Sequence, residues 1–103
     1  MVVTILSLGA VLRRFADGVA EVKRMHLRPG HRGRRRGAML LAQIVPDARS
    51  LGYEQLRLDA GPFMVAAHRT YEMAGFVVRD AYEGAEVPKE LWSHWRFMEL
   101  FLR

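Results

Sequence analysis

The sequence predicts an α/β layered domain with helices flanking a sheet. Three observations predict it. Apolar residues run at strand-like spacing near the N-terminus, where a turn at Ala16-Asp17-Gly18 separates residues 2–15 from residues 19–27. Two later runs, residues 38–51 and 65–74, repeat their apolar positions at helical spacing. Short strand-like segments at 55–59, 76–79 and 95–102 alternate with those helices, giving the order ββαβαβ-loop-β.

Residues 2–15 read as a buried strand that pairs with 19–27 in a hairpin. In the second strand Ala20 and Val22 share one face by period two, whereas Met25 and Leu27 fall on the other. One extra residue between Val22 and Met25 would restore the phase, so a β-bulge is predicted there. In the first helix Leu40, Leu41, Ile44, Val45, Ala48 and Leu51 form the apolar stripe, and Gly52 is placed to end it. Pro46 lies inside this helix and removes one backbone donor, which predicts a kink near 42–46. Gly61-Pro62 breaks the strand 55–59, and Gly75 closes the second helix. Residues 82–94 are too long for a simple turn and are a candidate binding loop.

The chain of 103 residues is sized for one domain, half of it hydrophobic and 26% charged. With no cysteine, disulfides and thiolate metal sites are excluded, and the four histidines show no metal-ligand spacing. The apolar N-terminal run is too short to span a membrane, and Arg13 and Arg14 follow it where a signal peptide would carry its basic residues first. A cytoplasmic location is expected.

Charge is concentrated. Arg24, Arg28, Arg32, Arg34, Arg35 and Arg36 are six of the 16 basic residues, within a stretch that holds no acid. The segment from His31 to Gly37 leaves a strand and opens a helix, where backbone N–H groups and the helix dipole converge. Gly33 and Gly37 permit close backbone approach, and the arginines offer forked donors suited to phosphate oxygens. The segment reads either as an anion seat suited to a diphosphate or as a solvated basic turn.

The order of these motifs resembles the Gcn5-related N-acetyltransferase (GNAT) family over roughly residues 9–102. Residues 20–29, AEVKRMHLRP, resemble its central strand and exit, and Arg32-Gly33-Arg34-Arg35-Arg36-Gly37 resembles its acyl-CoA loop, Q/R-x-x-G-x-G/A. Leu58-Asp59-Ala60-Gly61-Pro62-Phe63 looks like the next strand and turn. Ala67, Tyr71 and Gly75-Phe76 are similar to the following signature helix, and Phe97-Met98-Glu99-Leu100 to the last strand.

The resemblance implies acetyl-CoA as cosubstrate and transfer of its acetyl group to a primary amine of a small molecule or peptide by direct attack. It implies a cofactor site made by Met25, Leu27, Arg32, Gly33, Arg34, Arg35, Arg36, Gly37 and Ala38, with the pantetheine arm pairing against the backbone at Met25 and Leu27. Such chemistry needs a base, a carbonyl polariser and an acid for the leaving thiolate. Tyr71 is the implied acid and Glu21 the implied base, the latter also readable as a cross-strand charge beside Lys23. Phe63, Tyr82, Glu83 and Glu86 would line the acceptor site. Asp59 at the strand end reads as ordering the Gly61 turn or as touching substrate, His68 is assigned to packing, and Trp92 and Trp95 to anchoring the loop.

Two departures stand out. The middle glycine of the loop signature is Arg35, which fits a helical first turn with the side chain in solvent. The family's usual N-terminal strand and two helices are nearly absent, so apolar sheet area is expected to lie bare and a homodimer to cover it. The alternatives are a non-catalytic CoA-binding or association remnant of the fold, or an arginine-rich nucleic-acid-binding module.

Overall fold

A computed structural model describes residues 3–5, 11–23, 34–61 and 65–102. Strands β1 (Val3–Ile5), β2 (Val11–Ala16) and β3 (Val19–Lys23) precede helix α1 (Arg34–Ser50). Strand β4 (Gln55–Ala60), helix α2 (Val65–Met73), strand β5 (Val77–Arg79), a 3-10 helix (Lys89–His94) and strand β6 (Arg96–Phe101) follow. The six strands form one sheet in the order β1-β2-β3-β4-β6-β5. Only β3 and β4 run parallel, joined through α1, and every other pairing is antiparallel. The mixed, mostly antiparallel sheet that the family resemblance implies is the one observed.

Three expectations change in detail. The apolar stretch 2–15 holds two antiparallel strands, with Val3 opposite Arg13 and Ile5 opposite Val11. Alternation of apolar residues looks the same in one long strand or two short ones, so the reversal was not legible. Helix α1 starts at Arg34 rather than 38, because helical backbone needs no apolar stripe in its first turn. The helix also continues through Pro46 as one element. A register shift does occur, but in β2 between Arg14 and Ala16; the bulge expected between Val22 and Met25 lies outside the described residues.

Both helices close the way their glycines predict. The Tyr53 N–H donates to the Ala48 carbonyl at 3.1 Å around Gly52, and the Phe76 N–H donates to the Tyr71 carbonyl at 3.0 Å around Gly75. Gly52 and Gly75 have φ of 89° and 103°, the left-handed conformation this helix ending requires.

The sheet has two unlike faces. Leu12, Ala20, Val22, Leu56, Leu58, Ala60 and Met98 pack with Leu40, Leu41, Ile44 and Ala48 of α1 and Tyr71 of α2 to form the main core. The opposite face was expected to be apolar and bare. Instead it carries a cross-strand row Arg13–Glu21–Arg57–Glu99, adjacent in register and alternating in sign. Part of it is covered by residues 81–95, whose Tyr82, Val87 and Trp92 build a second cluster with Phe15 and Phe97. Trp92 donates its indole N–H to the Val87 carbonyl at 2.9 Å, and so anchors this segment as expected.

Candidate functional site

The parallel strands part company. Their pairing runs from Val19 opposite Gln55 to Glu21 opposite Arg57 and ends there. Strand β3 continues to Lys23 and β4 to Ala60, the latter paired only with β6. An opening therefore lies between the carboxyl ends of two parallel strands, the place where α/β sheets bind ligands. Helices α1 and α2 follow these same strand ends. The first turn of α1 holds Arg34, Arg35, Arg36 and Gly37 and no acid. Its N–H groups lack intrahelical partners. Arg35 is helical, as its departure from the loop signature suggested. Ala38 lines an apolar groove of about 680 Å³ between α1 and α2, with Leu41, Ala42, Val45, Pro46, Thr70, Met73 and Ala74. Met25, Leu27, Arg32, Gly33 and Phe63 lie outside the described residues.

Tyr71 reaches the core from α2, buried to 4% exposure and packed against Phe76 with ring centroids 5.9 Å apart. Burial, and secondarily the negative charge of Asp59, push its hydroxyl pKa up. It therefore holds its proton through neutral pH. Tyr71 and Asp59 sit on opposite faces of the sheet: Tyr71 belongs to the helix-side core, whereas Asp59 alternates with Leu58 and Ala60 and points the other way.

Glu21 is fully buried and both its oxygens are engaged. Arg13 donates to Oε1 at 2.6 Å and the Tyr82 hydroxyl donates to Oε2 at 2.6 Å, while the Lys23 ammonium stands 3.5 Å from Oε1. A carboxylate so held has no free lone pair facing solvent. This geometry disfavours the role of base that the sequence suggested.

Tyr82 is likewise displaced from its expected role. Its ring stands edge-on to Phe15 and Phe97, with the Arg57 and Arg79 guanidinium groups 5.1 Å and 5.3 Å from its centroid. Burial and the bond to Glu21 raise its pKa well above the ordinary tyrosine value. Glu83 faces solvent and pairs with Lys89 at 3.1 Å. Glu86 is also exposed but turns toward the opening, 3.6 Å from Arg13 and 3.9 Å from Lys23. His68 contacts the Gly61 carbonyl through Nε2 at 3.0 Å, tying α2 to the end of β4 in the packing role expected.

Sequence reasoning considered Asp59 but did not join it to Lys23. Lys23 and Asp59 face each other across the opening, Nζ to Oδ2 at 3.4 Å, beyond the last paired residues of their strands. The Trp95 indole N–H donates to the other Asp59 oxygen at 3.1 Å. Their equal spacing from the end of the register, two residues past Glu21 and Arg57, was the one available signal. Arg57 was missed too: its guanidinium lies 5.2 Å from the Phe15 ring, and its Nε has no hydrogen-bond partner among the described residues.

Among the described residues no group of acids and histidines could hold a metal ion, and no helix is long and apolar enough to cross a membrane.

Comparison with known proteins agrees with this architecture. An acyl-CoA N-acyltransferase structure from Klebsiella pneumoniae matches with a TM-score of 0.78 at 32% identity, over 91% of this chain and 62% of that one. A Salmonella typhimurium acetyltransferase solved with acetyl-CoA matches with a TM-score of 0.71 at 25% identity, over 91% of this chain and 57% of that one. An uncharacterized N-acetyltransferase of Schizosaccharomyces pombe is 32% identical over 71 residues, which is 69% of this chain but 44% of that protein. The chain thus spans about half the length of this curated relative. The family model described as the acetyltransferase (GNAT) family matches residues 7–76. With that match, a parallel strand pair that opens at its carboxyl ends and a helix that starts on three arginines, the chain belongs to the GNAT acetyltransferase family.

Proposed function

We propose that this chain binds acetyl-CoA at the opening between β3 and β4 and transfers its acetyl group to a primary amine by direct attack. The observation that carries the reading is the start of α1. Three arginines, with no acid among them, begin a helix whose dipole already places partial positive charge there. Cations at a helix N-terminus repel that dipole, and an oligophosphate relieves the repulsion while accepting the unpaired N–H groups. The residues present therefore fit the diphosphate of CoA. Arg32 and Gly33 would join Arg34, Arg35, Arg36, Gly37 and Ala38 in holding it, and the Met25 and Leu27 backbone would hold the pantetheine arm.

Bound acetyl-CoA supplies an acyl carbon on a thiolate leaving group. Tyr71, kept protonated by burial, is the group on this chain suited to give that sulfur a proton. Five charged side chains gather at the far side of the opening: Arg13 and Lys23 against Glu21, Asp59 and Glu86. The net charge of that group is negative by one, which favours a cationic amine as acceptor. We place the chain in the cytoplasm, where acetyl-CoA is made available to such enzymes.

Isothermal titration calorimetry with acetyl-CoA and with a short DNA duplex tests the reading. Acetyl-CoA is expected to bind and the duplex not to. Gly37→Val in a folded chain is expected to abolish the acetyl-CoA heat. Unchanged affinity in that variant moves the seat elsewhere, and binding of the duplex alone supports the nucleic-acid alternative. A homodimer joined through an edge strand, β1 or β5, completes the proposal, since both lie at the margins of the sheet. Analytical ultracentrifugation is expected to find a dimer whose activity falls on dilution; a stable, active monomer at nanomolar concentration refutes it.

A further inference from the structure

The reaction needs a base on the acceptor side, and Glu21 is not free to serve. We infer that Asp59 is the base that takes the proton from the acceptor ammonium, with Lys23 occupying the acceptor's place until it arrives. The inference rests on the transferase reading above.

Position comes first. Asp59 lies two residues past the last pair of the parallel strands, so its carboxylate stands at the opening rather than within the sheet. It projects from the face opposite Tyr71, yet the two are close enough for its charge to act on the Tyr71 hydroxyl. The attacking nitrogen and the leaving sulfur stand in different directions from the acyl carbon, so a base and an acid that serve them must stand apart, as Asp59 and Tyr71 do.

Availability comes second. Glu21 is fully buried with both oxygens in 2.6 Å bonds. Asp59 keeps 16% of its side chain exposed, and its contacts are longer, 3.1 Å to the Trp95 indole and 3.4 Å to Lys23. The weaker of these is to a primary ammonium on a flexible stem. An acceptor ammonium is the same functional group, so it can replace Lys23 at Oδ2 at little electrostatic cost. Trp95 then fixes Oδ1 and leaves Oδ2 for the proton.

The step balances. The acceptor ammonium gives one proton to Asp59, and the amine nitrogen forms a bond to the acyl carbon as the carbon–sulfur bond breaks. Tyr71 then gives its hydroxyl proton to the departing thiolate. The nitrogen, acidic once acylated, gives its second proton to solvent and becomes the neutral amide. Asp59 then releases its proton to solvent and Tyr71 takes one back, for a net loss of one proton.

The test compares ethylamine, protonated at neutral pH, with trifluoroethylamine, which is already neutral there and needs no base. Asp59→Asn is expected to lower acetylation of ethylamine on the order of 100-fold at pH 7, within the usual range for a lost general base, and to leave trifluoroethylamine nearly unaffected. Trp95→Phe, which removes the hydrogen bond to Oδ1 but keeps the carboxylate, is expected to cost ethylamine only a few-fold and trifluoroethylamine less. A second readout needs no turnover. Ethylamine added to the CoA-bound protein should change Trp95 fluorescence in the parent chain and not in Asp59→Asn. If Asp59→Asn does not fold, Asp59→Ser makes the same comparison. Equal loss for both amines, or no loss for either, overturns the assignment while leaving the transferase reading intact. A parent chain that binds acetyl-CoA yet acetylates neither amine overturns both.

Discussion

Removing one oxygen from Tyr82 tests whether the polar face of the sheet is held as described. In Tyr82→Phe the ring keeps its edge contacts to Phe15 and Phe97 at 5.2 Å and 5.4 Å, so packing is conserved. What is lost is the 2.6 Å bond from the hydroxyl to Glu21 Oε2, made where neither residue meets much solvent. A hydrogen bond to a charged group contributes about 1.5–3 kcal/mol, and a buried acceptor left without its donor costs at the upper part of that range. About 2 kcal/mol is therefore expected at pH 7. For a domain of this size that is a fall in Tm of roughly 8–16 °C, or ~1 M in urea midpoint for an m-value near 2 kcal/mol/M.

Burial of the Tyr82 hydroxyl, together with the same bond, makes a signed pH prediction. The folded Tyr82 pKa is raised above the ordinary value of 10.0, so between those values the folded chain keeps a proton that the unfolded chain has lost. Stability must then fall as pH rises above 10, by up to ~1.4 kcal/mol per pH unit from this group. Tyr82→Phe lacks that slope, so its deficit should shrink above pH 10 and close by about pH 11.5. Urea titrations at pH 7, 9, 10 and 11 measure both effects. A deficit under ~0.5 kcal/mol at pH 7, or one that does not change with pH, would mean that Glu21 is not held by Tyr82.

Tyr71→Phe is expected to lower turnover by at least ~10-fold with acetyl-CoA affinity unchanged, read by steady-state kinetics beside calorimetry; equal turnover with chemistry rate-limiting would leave Tyr71 a packing residue. Gly75→Ala is expected to destabilise the fold by more than ~1 kcal/mol, because its φ is 103° and a new Cβ would stand 3.2 Å from Leu100 Cδ1. Urea unfolding checks it, and an unchanged midpoint would show that α2 does not need this ending.

Much of the fold was legible because it follows from local chemistry. Gly52 and Gly75 ended the helices where the sequence placed them, and period-two patterning located β4 and β6 to within a residue or two. The start of α1 was not legible, since Arg34, Arg35 and Arg36 are good helix formers that carry no apolar signal. The site was read less well than the fold. Glu21 looks like any charged residue alternating with Ala20 and Val22, and alternation cannot tell a solvated face from a covered one. Its partners Arg13 and Tyr82 stand 8 and 61 positions away in sequence, distances over which no pattern operates.

The cover over that face explains why its charges can be so ordered. Arg57 is opposite Glu99 in register, yet Glu99 turns to Arg79 at 3.1 Å and to Gln55, and leaves Arg57 to the rings of Phe15 and Tyr82. The faces of those rings attract the guanidinium where a carboxylate would otherwise stand, although its Nε has no hydrogen-bond partner among the described residues. Glu21 can then spend its oxygens on Arg13 and Tyr82 rather than on its neighbour in the sheet. Each charge along the row thereby has a fixed partner, up to the place where β3 and β4 separate. There the next pair, Lys23 and Asp59, is held at 3.4 Å and kept partly open to solvent. The rigid pairs behind it set where that carboxylate points, and the absence of further pairing leaves it free to exchange its partner. The chemistry proposed for this face depends on the row behind the opening staying intact. Loss of the Tyr82 bond should therefore weaken the fold before it touches cofactor binding.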